Sequence, residues 1–172
     1  FYQLPEKYKY SIAFESKLVP LTDEKAQKYI SLASQDNLKK YFPKDVDFEK
    51  VLKMCLLHDL AEGRVSDLHY VNQKYVDRHE DKAIKELTEN LPFGVEIKEV
   101  VEEYRKKESK EAILAKDADN LEFILSLKEQ IDIGNKRAET WLPSAIKRLK
   151  TDVAKELAEE ILKTQSDDWW FS

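Results

Sequence analysis

Residues 51–67 read VLKMCLLHDLAEGRVSD, and this stretch decides the fold. It opens as an apolar helix, with Val51, Leu52, Cys55, Leu56 and Leu57 at helical spacing. It then turns to ionisable residues: His58, Asp59, Glu62, Arg64 and Asp67. Packing alone does not account for such a cluster directly after a core helix. Burying these groups costs free energy unless they are hydrogen-bonded, paired or bound to a metal. An adjacent His-Asp pair offers one neutral nitrogen donor and one anionic oxygen donor, which suits a divalent cation.

Working outward, the spacing predicts a central helix capped by Asp47, running to about Ala61 and broken by Gly63. Before it, short helices are expected around Lys7–Leu18, and from Thr22 to a stop before Pro43. Residues 64–77 read as a loop. Helices are expected over about Arg78–Leu91, Val95–Lys107 and Lys110–Ile131, then Ala138–Leu149 and Thr151–Lys163. The tail ends in an aromatic run, with Trp169 and Trp170, that could dock on a second subunit. No segment alternates with period two over more than four residues, and there is no internal repeat. The fold class is therefore all-α: a single-domain bundle of six to eight helices spanning 1–172.

Composition agrees. Among 172 residues only three are glycine and five proline, which favours long helices with short connections over a sandwich or barrel. The net charge of -5 speaks against a general nucleic-acid coat, because phosphate backbones recruit basic surfaces. No apolar run approaches the roughly 18 residues that a membrane span needs. One cysteine, Cys55, cannot make an internal disulfide and is read as core. Nothing points to secretion, so a cytoplasmic protein is expected.

A second motif lies on the long helix, KDADNLE over 116–122. Asp119 and Glu122, three apart, share a helix face. Asp117 lies about 200° around from Asp119 and is expected to face solvent. An ion pair with Arg64 or Lys116 explains Asp119 as simply as a metal shared with His58 and Asp59.

Taken together, HDLAE at 58–62, Asp67 and KDADNLE resemble the HD-domain phosphohydrolases, and within them the 5'-deoxynucleotidase (oxetanocin-like) branch. The resemblance is carried by about residues 47–127. The tail from Trp141 also resembles archaeal relatives; the C-terminal helices and aromatic tail span 138–172. The family implies an HD-domain helical bundle that binds one divalent metal ion (Mn, Co, Mg, Ni or Zn). It implies hydrolysis of the 5'-phosphate of a (deoxy)nucleoside monophosphate, and a homodimer. By position, His58 and Asp59 match the metal-binding doublet and Asp119 the late metal ligand. Glu62 matches the acid that orients or activates water, and Asp67 a second active-site acid.

The family's first histidine is missing, since no histidine precedes His58. Glu15, in SIAFES, is the local substitute for that ligand, and Asp23 is a second choice. Three protein ligands with water, or no metal at all, also remain open. The Arg-Gly-Trp segment of relatives is missing as well. The alternative function is thus a non-catalytic HD-fold module that binds a nucleotide or a protein. Expected partners are a small nucleotide and a second copy of the chain, with no nucleic-acid polymer and no membrane. His69 is read as a surface residue and His79 as the start of a helix. Arg64 and Lys116 could meet a phosphate or pair with nearby acids, and Trp141 reads as a packing or interface residue.

Overall fold

The computed structural model describes residues 45–167. The helices expected before Pro43, with Glu15 and Asp23, and the aromatic tail from Trp169 lie outside these residues. Along the described chain run α1 (Phe48–Leu57), α2 (Glu62–Val65), α3 (Glu80–Thr88), α4 (Gly94–Lys106), α5 (Lys110–Asp132), α6 (Lys136–Ile146) and α7 (Asp152–Lys163). A 3-10 turn at Asn72–Lys74 interrupts the long connection before α3. The described residues contain no strand, and the architecture is all-α as expected. Among them no helix is long and apolar enough to cross a membrane.

The chain divides into two compact units. One covers Glu49–Lys116, and its core joins Ala61, Ala83, Ile84, Ile97 and Val101, with Leu57, Leu60 and Val65 packed against them. Two local devices shape it. Gly94 opens α4 where a Cβ would stand 2.0 Å from the Thr88 carbonyl oxygen, so only glycine fits. Ser109 precedes α5, and its hydroxyl accepts the Ala112 N–H at 3.1 Å, one of the donors that a helix start leaves without a partner.

The described part of the other unit covers 45–48 and 117–167. Its core gathers Leu121, Ile124 and Leu127 of α5, Ala138 and Ala145 of α6, Leu149, and Ala154, Leu157, Ala158 and Ile161 of α7. Gly134 takes a positive φ of 92° to end α5. Asn135 then caps α6 by accepting the Arg137 N–H, and Thr151 caps α7 by accepting that of Ala154.

Three expectations are corrected. The central helix stops at Leu57 rather than about Ala61, and Gly63 lies inside α2 instead of breaking a helix. The cause is a change of hydrogen bonding. His58 N–H still reaches back four residues to Met54, but Leu60 and Glu62 reach back only three, to Leu57 and Asp59. Second, Leu56 is 82% exposed, and Met54, fully buried, is the core residue of that turn. Cys55 is half-buried rather than core. Third, Asp117 does not face solvent but is 2% exposed. Asp117 lies four residues before Leu121 and seven before Ile124, so it shares their buried face, and there its carboxylate accepts from Lys150 and Thr151.

Candidate functional site

In the first unit, the tight turn after α1 carries His58 and Asp59 together. His58 Nδ1 lies 2.9 Å from the Cys55 carbonyl oxygen. A carbonyl can only accept, so Nδ1 carries a proton. Nε2 lies 3.0 Å from Asp59 Oδ2. The histidine is mostly buried while the carboxylate is 60% exposed, so the pair opens toward solvent on the Asp59 side. On its face, the His58 ring meets Tyr104 of α4, with centroids 4.9 Å apart and planes tilted by 47°.

Glu62 begins α2 and is separated from α1 by a turn that is not α-helical. Burial pushes its carboxyl above the ordinary value. The negative charges of Asp59 and Asp67 push it further, Arg78 pulls it back, and Glu80 adds to the rise. Asp59 and Asp67 thus both act on Glu62 electrostatically. Asp67 itself is exposed.

Sequence reasoning missed Arg78 and Glu80 near this cluster. Arg78 pairs with Glu80 at 3.2 Å, and Arg105 pairs with Glu80 at 3.0 Å and with Asp81 at 2.7 Å. Their signal was the RHED run at the start of α3, read only as a helix start. Tyr104 falls within the helix expected over Val95–Lys107, where nothing local marks its contact with His58. His79 does precede α3 and His69 is exposed, as expected. The His69 Nδ1 accepts the Val71 N–H at 3.2 Å, within its own loop.

Asp119 is half-buried on α5, in the second unit. Glu122 is exposed and accepts the Ser126 hydroxyl at 3.0 Å. Among the described residues, no group of three or more His, Cys, Asp or Glu side chains is gathered to hold a metal ion.

A sequence model of the HD domain matches residues 32–162. The chain therefore belongs to the HD-domain family, whose hydrolases generally use divalent metals. Among curated proteins it is similar to the mouse 5'-deoxynucleotidase HDDC2, 33% identical over 93 residues, or 51% of this chain and 47% of the mouse protein. The bovine HDDC2 is 36% identical over 93 residues, covering 51% of this chain and 45% of that protein. The fission yeast 5'-deoxynucleotidase hdd1 is 32% identical over 93 residues, covering 49% and 47%. The chain spans about half the length of the curated relatives it matches. An archaeal-type character is not borne out by these relatives, and no solved structure matches the chain.

Proposed function

We propose that this chain is a metal-dependent phosphohydrolase that removes the 5'-phosphate from (deoxy)nucleoside monophosphates. The observation that carries the reading is the 3.0 Å separation of His58 Nε2 and Asp59 Oδ2. Two donors each about 2.1 Å from one octahedral ion, at right angles, lie about 3.0 Å apart. The Nδ1–H donated to the Cys55 carbonyl orients the ring so that Nε2 is the nitrogen that would ligate an ion. The donor set thus fits a divalent cation of the Mn, Co, Mg, Ni or Zn kind.

In this reading His58, Asp59 and Asp119 hold the ion, with Glu15 in place of the family's first histidine. A bound cation supplies a polarised phosphoryl oxygen and a more acidic water. Glu62, its carboxyl raised by burial, accepts the proton of the attacking water. Asp67 assists from the solvent side. The names of the mouse, bovine and yeast relatives support a 5'-deoxynucleotide substrate. The same names favour the catalytic reading over the non-catalytic alternative.

The same proposal places the chain in the cytoplasm as a homodimer built on one HD domain over 1–172, acting without nucleic-acid polymer or membrane. The test is phosphate release from the deoxynucleoside 5'-monophosphates with Mn²⁺ or Co²⁺ added. Asp59→Ala should abolish release and metal binding together while keeping the helical circular-dichroism spectrum. Wild-type turnover in that variant refutes the reading.

A further inference from the structure

Every residue from His69 to Asp77, in the connection before α3, is exposed. Arg78 and Glu80 break that run: 28% and 29% of their side chains are exposed. Taking a guanidinium partly out of water costs free energy unless anions receive it. Glu80 is one such anion. Its Oε1 lies 3.2 Å from Arg78 Nη1, and its Oε2 lies 3.0 Å from Arg105 Nη2 on α4. Arg105 Nη1 in turn donates to Asp81 Oδ1 at 2.7 Å. Glu80 is thus held at both oxygens, and Arg78 is fastened to a carboxylate that α4 keeps in place.

Two features point past a simple ion pair. A guanidinium carries five N–H donors in a planar fork, and Glu80 meets that fork at Nη1. Nη2 and Nε belong to the same fork and can serve a second anion. Glu80 also shares its charge between two arginines, so it does not fully neutralise Arg78. The other feature is position. The charge of Arg78 reaches Glu62, on which the negative charges of Asp59 and Asp67 also act. A phosphate dianion brought among such acids is repelled unless a cation meets it.

We infer that Arg78 binds the phosphate of the substrate: Glu80 holds one edge of its guanidinium, and the rest of the fork receives phosphoryl oxygens of a nucleoside 5'-monophosphate beside Glu62. This rests on the reading of the chain as a nucleotide phosphohydrolase. Arginine suits the task better than lysine, because its planar donors match two phosphate oxygens at once. Arg105, engaged by both Glu80 and Asp81, is the positioning residue that steadies Glu80.

Four chains test this: wild type, Arg78→Gln, Arg78→Lys and Lys82→Gln. Lys82 is 74% exposed on α3, so its loss removes the same charge from the surface nearby in sequence. Hydrolysis of dAMP gives KM and kcat, and circular dichroism reports folding. Hydrogen bonds to a charged partner correspond to about tenfold or more in affinity. Arg78→Gln should therefore raise KM for dAMP at least about tenfold. Arg78→Lys should fall between it and wild type, and Lys82→Gln should stay within about twofold of wild type. In wild type, the Arg78 Nε–H resonance should move as inorganic phosphate is titrated in with Mg²⁺ present. Unchanged KM in a folded Arg78→Gln overturns the inference, as does an equal rise in Lys82→Gln. So does a pH profile that moves upward at unchanged KM, which makes Arg78 a charge partner of Glu62 alone. If Arg78→Gln does not fold, an Nε–H signal unmoved by phosphate overturns it instead. If wild type releases no phosphate from any deoxynucleoside 5'-monophosphate, the hydrolase reading fails by itself, and the phosphate titration still decides whether Arg78 binds the anion.

Discussion

Asp117 accepts two hydrogen bonds from Thr151 through the same oxygen, one from its backbone N–H at 2.8 Å and one from its hydroxyl at 2.7 Å. Its other oxygen accepts the Lys150 N–H at 2.9 Å. Thr151 in turn caps α7 by accepting the Ala154 N–H at 3.3 Å. A buried carboxylate in α5 thus organises the start of the final helix. Hydrogen bonds to a charged group contribute about 1.5–3 kcal/mol each, and deleting the acceptor leaves partly buried donors unsatisfied. Asp117→Ala should therefore lower unfolding free energy by about 3 kcal/mol or more, measured by urea denaturation. Thr151→Ala should cost about 1–2 kcal/mol as a lost cap. The double variant should cost less than the sum, because both changes break the same bond, the one from the Thr151 hydroxyl to Asp117.

Asp132, at the end of α5, gives a prediction in pH. Burial pushes its carboxyl up, but the Lys128 ammonium and the Ser166 backbone N–H at 2.9 Å outweigh that and hold it below the ordinary 3.8. A carboxyl with a lowered folded-state pKa contributes stability above its unfolded value, and loses it as pH falls through the folded one. Wild type should exceed Asp132→Asn in stability at pH 7. That gap should begin to close as the pH drops below about 4, and continue closing below it. Chemical denaturation of both chains at several pH values reads it out. A gap that widened toward low pH would contradict the assignment.

Two glycines should respond in opposite directions. At Gly94 a Cβ would stand 2.0 Å from the Thr88 carbonyl oxygen and 2.9 Å from its carbon, both backbone atoms that cannot step aside. Gly94→Ala should therefore cost about 1–3 kcal/mol or more. At Gly63, inside α2, nothing lies within 4 Å and the backbone φ is not positive. Gly63→Ala should raise stability by about 0.5–1 kcal/mol, by reducing the freedom of the unfolded chain. Thermal melts of the two variants decide both.

The helices of this chain were legible because α3, α4 and α7 each carry one apolar stripe at helical spacing, and few glycines or prolines interrupt them. The His-Asp doublet and its neighbouring acids were legible too, since chemistry of that density is expensive to bury. What escaped has physical causes. Periodicity gives one buried face per helix, whereas α5 buries Ala112, Ala115, Asp117, Asn120 and Lys128 around a wider arc. A turn of three-residue hydrogen bonds after Leu57 carries no distinctive residue pattern, so the helix was extended through His58. The contact of Tyr104 with His58 spans 46 positions of sequence, and nothing local announces it.

The division of labour around Glu62 is testable by separating binding from turnover. If Glu62 accepts the proton of the attacking water, its loss should remove rate and spare the metal. General-base contributions are commonly about 10²–10⁴-fold. Glu62→Gln keeps the size and the hydrogen-bonding edge but cannot take a proton, so phosphate release should fall by at least about 100-fold. Mn²⁺ affinity should stay within a few fold, because the donors His58 and Asp59 are untouched. Asp59→Ala should do the reverse in order of cause, losing the ion first and the rate with it. Asp67 is exposed, so Asp67→Asn should cost less than Glu62→Gln. A Glu62→Gln chain that loses Mn²⁺ as completely as Asp59→Ala would make Glu62 a ligand and leave the base to be found among Asp67 and Glu80.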